Sequence, residues 1–223
     1  MTTRVGVVVF PGSNCEQDVC EAVRQQGVQA ELLWHGDSSL QQCDAIVIPG
    51  GFAYGDYLRP GAIARFSPVM GAVSQFAREG GPVVGICNGF QILTEAGLLP
   101  GALQKNRGLK FLCSEAQLRV ESTNSVLTQQ LDLGAVVSIP INHFEGNYTC
   151  DAQTLQQLQQ EDRIVFRYVN NPNGSVDDIA GVCNEGRNVV GLMPHPERAT
   201  SDLLGSSDGI AMFRSLVSSV MAG

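Results

Sequence analysis

Apolar residues in the first half of the chain form short runs separated by longer amphipathic stretches. The runs occupy residues 5–10, 30–34, 45–49 and 83–86. An uninterrupted apolar run of this length is typical of a strand that is buried on both faces. The run at residues 5–10 is therefore predicted to be a strand buried on both faces, and the pattern as a whole predicts four strands before residue 90.

Helices are predicted between these strands. Ser13 and Glu16 have the S-x-x-E spacing of a capping box, which predicts a helix that ends near Gln26. Further helices are expected at residues 67–78 and directly after residue 87. This alternation predicts a doubly wound α/β fold with a mostly parallel sheet flanked by helices. Such sheets bind their ligands beyond the carboxyl ends of the strands.

The pattern changes after residue 111, where an added set of short strands is predicted. These strands lie at residues 116–121, 136–141, 164–169, 180–183 and 189–193. The turn at 184–188 joins the last two in a hairpin, and helices are expected at 153–160 and 208–221. Because no linker or repeat divides the chain, a single domain of residues 1–223 is predicted.

Composition narrows the class of protein. The 223 residues are 43% hydrophobic and 16% charged, as in globular proteins, and a net charge of −8 argues against nucleic acid or an anionic membrane surface as a partner. The seven cysteines lack C-x-x-C spacing, which is typical of reduced thiols in the cytoplasm. The three histidines are too far apart for a zinc motif, so no metal site is predicted. No apolar run approaches the ~20 residues of a membrane span.

One glycine-flanked cysteine stands out chemically. Residues 85–89 read Gly-Ile-Cys-Asn-Gly, at the end of a predicted strand and before a helix. This context fits a nucleophile elbow, with Cys87 in the place of serine, because a β-carbon at either glycine would clash where strand and helix converge. The sulfur would lie at a helix N-terminus, which favours thiolate. Without further signals, a buried cysteine in a tight turn explains the segment equally well.

A second segment supplies a base. Residues 195–197 read His-Pro-Glu, and Pro196 disfavours helical backbone at His195. The segment is therefore predicted to be extended, so that Glu197 reaches the imidazole of His195 and fixes its tautomer. Cys87, His195 and Glu197 would then be nucleophile, base and orienting acid.

These motifs resemble a known family. The G-x-C-x-G-x-Q pattern of residues 85–91, followed far downstream by His-Pro-Glu, resembles the class I, or triad, glutamine amidotransferases, which have a flavodoxin-like architecture. Further segments at residues 10–16, 49–56, 59–64 and 191–198 resemble one branch of that family. This branch comprises the small glutaminase subunits of phosphoribosylformylglycinamidine synthases. The resemblance extends from about residue 4 to the terminal helix.

The resemblance implies a reaction and partners. The chain would hydrolyse glutamine to glutamate and ammonia through a cysteine thioester. A large synthetase subunit, accompanied by a small accessory subunit, would use the ammonia and ATP to make phosphoribosylformylglycinamidine for purine synthesis. Because the sequence lacks a phosphate-binding glycine motif, no cofactor is expected on this chain, and ATP and Mg²⁺ are expected on the partner. Residues 54–64, glycine-containing and directly after the residue 50–51 turn, are where the partner is expected to act.

Further site residues follow from the elbow and the resemblance. The backbone N–H of Asn88 is expected to be one oxyanion donor, as in other elbows. The resemblance places the other at Gly51 or its neighbour. Gln91 lies one helical turn after Cys87 and can line the same pocket. By resemblance, Gly50 and Phe52 also border the glutamine pocket.

Three positions have more than one interpretation. His143 borders the pocket by resemblance, although Phe144 departs from the family's usual His-Gly-Glu-Gly. With Glu145 as its carboxylate, His143 is also a rival base. Arg59 and Arg198 could bind the substrate carboxylate or face the partner.

Two alternative functions remain open at this stage. Another cysteine hydrolase could use a similar sheet, although the Gln91 spacing and the His-Pro-Glu segment disfavour it. A non-catalytic redox or binding module could use Cys87 as a reactive thiol. Glutamine turnover distinguishes these alternatives, because a thiol sensor needs none.

Overall fold

The computed structural model describes residues 3–221. Its strands are β1 (Arg4–Val9), β2 (Gln29–Trp34), β3 (Ala45–Ile48), β4 (Val83–Ile86), β5 (Ala102–Gln104), β6 (Leu112–Val120), β7 (Val136–His143), β8 (Asn147–Thr149), β9 (Ile164–Tyr168), β10 (Ile179–Cys183) and β11 (Val189–Leu192). Its α-helices are α1 (Glu16–Arg24), α2 (Pro68–Arg78), α3 (Asn88–Glu95), α4 (Ala152–Gln160) and α5 (Ile210–Met221). The single domain of residues 1–223 stays a prediction. Residues 1, 2, 222 and 223 lie outside the described residues.

Nine of the strands form one sheet in the order β2-β1-β3-β4-β11-β10-β9-β6-β7. The pairings from β2 to β11 are parallel, and those from β11 to β7 are antiparallel. The predicted doubly wound α/β fold is confirmed, and the added strands of the second half extend the same sheet. Strands β5 and β8 pair separately as an antiparallel ribbon.

The core lies around the parallel half of the sheet. Every residue of β3, β4 and β11 is buried, as are the four central residues of β1. Strands without an exposed face must be covered on both sides, which explains their uninterrupted apolar runs. Among residues 3–221, no helix combines the length and the apolarity that a membrane crossing requires.

Three local expectations need correction. The predicted capping box is wrong, because the Ser13 hydroxyl accepts from the Phe10 N–H and Cys15 occupies the N-cap of α1. Ser13 is instead bridged to Gly51, which keeps it away from the helix. Strand β6 begins four residues earlier than predicted. Strands β5 and β8 were not predicted, because three residues are too few to show an alternating pattern.

The sheet brings distant motifs to one edge. The predicted nucleophile follows β4, the Gly50-Gly51 turn follows β3, and the His-Pro-Glu segment follows β11. These strands are parallel neighbours, so their carboxyl ends lie side by side. This edge is where ligands of open α/β sheets bind.

Candidate active site

Cys87 lies in a strained turn between β4 and α3. Its backbone has φ 51° and ψ −104°, a conformation that non-glycine residues rarely adopt, and it forms the N-cap of α3. Its N–H donates to the Leu192 carbonyl at 2.8 Å, which ties the turn to β11. Such strain persists only where the surroundings enforce it, and it is common at functional sites.

The two glycines that flank this turn are required sterically. A β-carbon at Gly85 would lie 2.6 Å from the Gly89 carbonyl oxygen, and one at Gly89 would lie 1.9 Å from the Ile48 carbonyl oxygen. The close approach predicted for a nucleophile elbow is therefore present, and α3 also packs against the end of β3. The thiol is buried, with its sulfur 3.6 Å from the Asn142 carbonyl oxygen.

His195 and Glu197 form a buried pair. The imidazole Nδ1 lies 2.6 Å from Glu197 Oε1, and both side chains are at most 2% exposed. The predicted contact is present, but the predicted extended backbone is wrong, because Pro196–Arg198 form a 3₁₀ turn. Pro196 occupies the first position of that turn, which its fixed φ suits.

Charge dominates the environment of this imidazole. Burial by itself would lower the pKa of His195, but the negative charges of Glu197 and Cys87 outweigh it and raise the pKa well above its ordinary value. Within residues 3–221, Nε2 has no hydrogen-bond partner although it is buried. The imidazole is therefore oriented through Nδ1, and its second nitrogen is free to exchange a proton.

Gly50 and Cys15 pack against the Nδ1 edge of the ring. A β-carbon at Gly50 would lie 2.7 Å from His195 Cε1 and 3.1 Å from Cys15 Sγ. Cys15 Sγ is 3.9 Å from His195 Nδ1 and accepts from Arg198 Nη2 at 3.1 Å. Ligand atoms of Cys15, His195 and Glu197 lie within 4.8 Å of one another, as in a metal site. The adjacent guanidinium and the Nδ1–Oε1 hydrogen bond disfavour a bound cation there.

The Gly51 turn is held against the segment that follows β1. Gly51 has φ 151°, and a β-carbon there would lie 2.7 Å from the Gly12 carbonyl oxygen. The flanking hydrogen bonds run from Phe52 N–H to Gly12 and from Asn14 N–H to Gly50. In such an antiparallel pair the central residues turn their own N–H groups away from each other. The Gly51 N–H therefore takes no part in this pairing.

Asn88 links the elbow to the loop beyond Gly51. Its Oδ1 accepts from the Ala53 N–H at 3.0 Å, and its Nδ2 donates to Gln91 Oε1 at 2.9 Å. Its own N–H lies in the first turn of α3, where the helix provides no acceptor. The side chain thus fixes the loop, and the role of the backbone N–H as an oxyanion donor stays a prediction.

Gln91 and Phe52 differ in their surroundings. Gln91 is buried, and its Nε2 donates to the Glu145 carbonyl oxygen at 2.5 Å, so the amide joins α3 to the loop after β7. The Phe52 side chain is 46% exposed. For both residues contact with substrate stays a prediction.

His143 is buried near His195 but has a different partner. Its Nδ1 lies 3.1 Å from Asn106 Oδ1. Burial, followed by the charge of His195, lowers the pKa of His143 to about 4. A neutral amide stabilises imidazolium less than a carboxylate does, and Glu145 does not orient this ring. The geometry therefore favours His195 over His143 as the base.

A pocket of about 560 Å³ opens beside these elements. Its lining includes two acidic side chains, Asp56 and Glu145, and two basic ones, Arg59 and Lys105. Burial, with a contribution from the Glu145 charge, raises the pKa of Asp56 to about 6. Arg59 also forms a bidentate pair with Glu95. Arg198 lies instead against Cys15 and, at 3.5 Å, Asp18, so the two arginines have different surroundings.

Four contributions to this site were missed from the sequence. These are the side chains of Asn88, Asp56, Asn106 and Cys15. Asn88, Asp56 and Cys15 lie within noted motifs, so their proximity to the site was available as a signal. Asn106 contacts His143 across 37 residues, and nothing in its local sequence marks it.

Comparisons with known proteins agree with this geometry. A family model described as the CobB/CobQ-like glutamine amidotransferase domain matches residues 2–217. The chain is 58% identical over 214 residues to the phosphoribosylformylglycinamidine synthase subunit PurQ of Rubrobacter xylanophilus, covering 96% of this chain and 97% of that protein. It is 57% identical over 224 residues to the protein of the same name from Koribacter versatilis, with the same coverage.

A solved structure is also similar. A chain of the structure described as PurLQS from Thermotoga maritima has a TM-score of 0.91 and 42% sequence identity, covering 99% of this chain and 100% of that one. The similarity extends over the parallel and antiparallel halves of the sheet alike, since almost the whole chain is covered.

Proposed function

Because this chain belongs to the CobB/CobQ-like glutamine amidotransferase family, we propose that it is the glutaminase subunit of a phosphoribosylformylglycinamidine synthase. It hydrolyses glutamine and supplies ammonia to a large synthetase subunit. One observation carries the chemical part of this proposal. A strained, glycine-flanked cysteine lies at the same sheet edge as a buried His195–Glu197 pair, and His195 Nε2 has no hydrogen-bond partner in the part of the chain that the structure describes.

The first half of the reaction forms a thioester. The Cys87 thiol gives its proton to His195 Nε2, and the thiolate sulfur attacks the side-chain carbonyl carbon of glutamine. The N–H groups of Asn88 and Gly51 stabilise the resulting oxyanion. His195 then returns the proton to the departing nitrogen, the carbon–nitrogen bond breaks and ammonia leaves.

The second half restores the thiol. A water molecule gives a proton to His195 and attacks the thioester carbonyl. The carbon–sulfur bond breaks, glutamate is released, and His195 reprotonates the sulfur. Throughout the cycle Glu197 holds Nδ1, so that Nε2 always faces the reacting atoms. The balance is one glutamine and one water consumed for one glutamate and one ammonia formed.

The pocket beside the elbow supports glutamine as the substrate. An amino acid carries an ammonium and a carboxylate on the same carbon, and its binding site needs both signs of charge. Asp56 and Glu145 provide negative charge, and Arg59 and Lys105 provide positive charge, in one lining. Gln91, Gly50, Phe52 and His143 complete the glutamine site in this proposal. Asn88 and the Gln91–Glu145 contact connect the pocket to the nucleophile helix.

The rest of the reaction belongs to other subunits. ATP and Mg²⁺ act on the large subunit, which makes phosphoribosylformylglycinamidine, and a small accessory subunit completes the complex. The chain acts as one domain in the cytoplasm, which agrees with seven cysteines that are all unpaired in the described part of the chain. Residues 54–64 face the large subunit, because Tyr57 and Leu58 expose 74% and 89% of their surface directly beside the pocket.

The experiment is a comparison of glutamine hydrolysis by the chain alone and by the chain with its synthetase, nucleotide and acceptor. We expect slow hydrolysis alone and a large increase on assembly, because binding of the partner can close the Gly50–Gly51 loop and set its oxyanion donor. Cys87→Ser should abolish both rates. Equal rates in the two conditions would indicate a stand-alone glutaminase, and no hydrolysis in either would refute the proposal.

A further inference from the structure

The loop that follows Gly51 has an unusual backbone. Tyr54, Asp56 and Leu58 have φ of 56°, 55° and 69°, in the left-handed region that L-residues rarely occupy. Conformations of this kind persist where surrounding contacts hold them. The contacts that hold this loop are therefore informative about what it positions.

The Tyr54 side chain anchors the loop to the body of the protein. Its hydroxyl lies 2.7 Å from His35 Nδ1 and 2.9 Å from Ser67 Oγ, and its ring packs edge-on against the imidazole of His35. Its backbone N–H donates to the Pro11 carbonyl at 2.7 Å. Ser67 precedes α2 and His35 follows β2, so the hydroxyl joins the loop to two elements outside the active site.

The other end of the loop carries the candidate oxyanion donor. Ala53, next to Tyr54, donates its N–H to Asn88 Oδ1, and Phe52 donates to the Gly12 carbonyl. Gly51 is therefore three residues from the Tyr54 anchor, and every intervening residue is hydrogen-bonded. A movement of Tyr54 would be passed along this short, tethered segment to the Gly51 N–H.

We propose that Tyr54 is a positioning residue for the oxyanion site. Its hydroxyl, held by His35 and Ser67, keeps the left-handed loop in the conformation that presents the Gly51 N–H to the reacting carbonyl. This inference rests on the proposed glutaminase function and adds a residue that contacts neither the thiol nor the base in this structure.

Two reactions of Cys87 distinguish the loss of oxyanion positioning from a general loss of active-site structure. Glutamine hydrolysis builds an oxyanion, whereas alkylation by iodoacetamide displaces iodide directly and builds none. In the assembled complex, Tyr54→Phe should lower kcat for glutamine about 10- to 100-fold, since losing one oxyanion donor costs about 100- to 1,000-fold. KM should change little, because the interaction forms in the transition state. The rate of Cys87 alkylation should stay within about twofold of wild type.

Matched variants complete the test. Tyr148→Phe removes the hydroxyl of a buried tyrosine, which donates to the Pro100 carbonyl at 2.9 Å, and should leave kcat unchanged. Ser67→Ala removes one of the two partners of the Tyr54 hydroxyl and should also lower kcat, but by less than Tyr54→Phe does. It also serves as the test if Tyr54→Phe does not fold.

The outcomes are distinct. Wild-type kcat in Tyr54→Phe, or equal losses of hydrolysis and alkylation, would overturn the inference. Absence of hydrolysis in the wild-type complex would instead overturn the proposed function. If only Ser67→Ala folds, an unchanged kcat in that variant would also overturn the inference.

Discussion

Replacing Gly50 by alanine tests the packing around the proposed base. The new β-carbon would lie 2.7 Å from His195 Cε1, whereas ordinary contact begins at 3.4 Å. The imidazole, Cys15 or the β3 end must therefore move by about 0.7 Å in total. A misplacement of about 1 Å can cost on the order of 100-fold in rate. We expect Gly50→Ala to lose roughly 10- to 100-fold in glutamine hydrolysis, because the new β-carbon would press directly on the imidazole of the proposed base.

The assay is steady-state glutamine hydrolysis by the assembled complex, accompanied by thermal unfolding of each variant. The matched control is Gly71→Ala in α2, where a β-carbon would meet no atom within 4 Å. This control should keep full activity. A Gly50→Ala complex that is folded and hydrolyses glutamine at more than half the wild-type rate would refute the proposed packing of the base.

Further predictions concern Cys87, the two histidines and Glu197. Cys87→Ala and His195→Ala should each remove nearly all hydrolysis, whereas Glu197→Gln should keep roughly 10–100 times more activity, since an orienting acid contributes less than the groups that make and break bonds. Glu197→Gln should also lower the pKa of His195, because the carboxylate charge that raises it is lost; an unchanged midpoint of the His195 ring in an NMR titration would contradict the pairing. For His143, whose folded pKa is about 4, the unfolded chain binds the additional proton as pH falls from about 6.5 to 4, so stability should fall by about 3 kcal/mol. Urea unfolding of His143→Gln should show a smaller loss over that range, and an equal loss would assign the acid sensitivity to other groups.

The elements around the nucleophile were predictable because they depend on local sterics. The apolar runs required strands buried on both faces, and Gly85 and Gly89 required a close approach of strand and helix. The close approach was predicted correctly, but the atom that Gly89 must avoid is the Ile48 carbonyl oxygen in β3, 41 residues earlier in the chain. The local sequence shows that a position must lack a β-carbon. It does not show which neighbouring atom that β-carbon would clash with.

The contacts that hold the site together were less predictable. Asn106 orients His143, Tyr54 is held by His35 and Ser67, and the Asn88 side chain holds the Ala53 N–H. Each of these joins segments that the fold brings together, and polar residues in loops carry no periodic signal. The capping box failed for the same reason, since the bridge to Gly51 removed Ser13 from the start of α1.

The central claim is that Cys87 forms a covalent intermediate with glutamine. The most direct test is acid quenching of the assembled complex during turnover, followed by mass spectrometry of its peptides. The account predicts a glutamyl group on the peptide that contains Cys87, absent from Cys87→Ser and absent from the six other cysteines. A glutamyl group on Cys15, or rapid hydrolysis by Cys87→Ser, would contradict it.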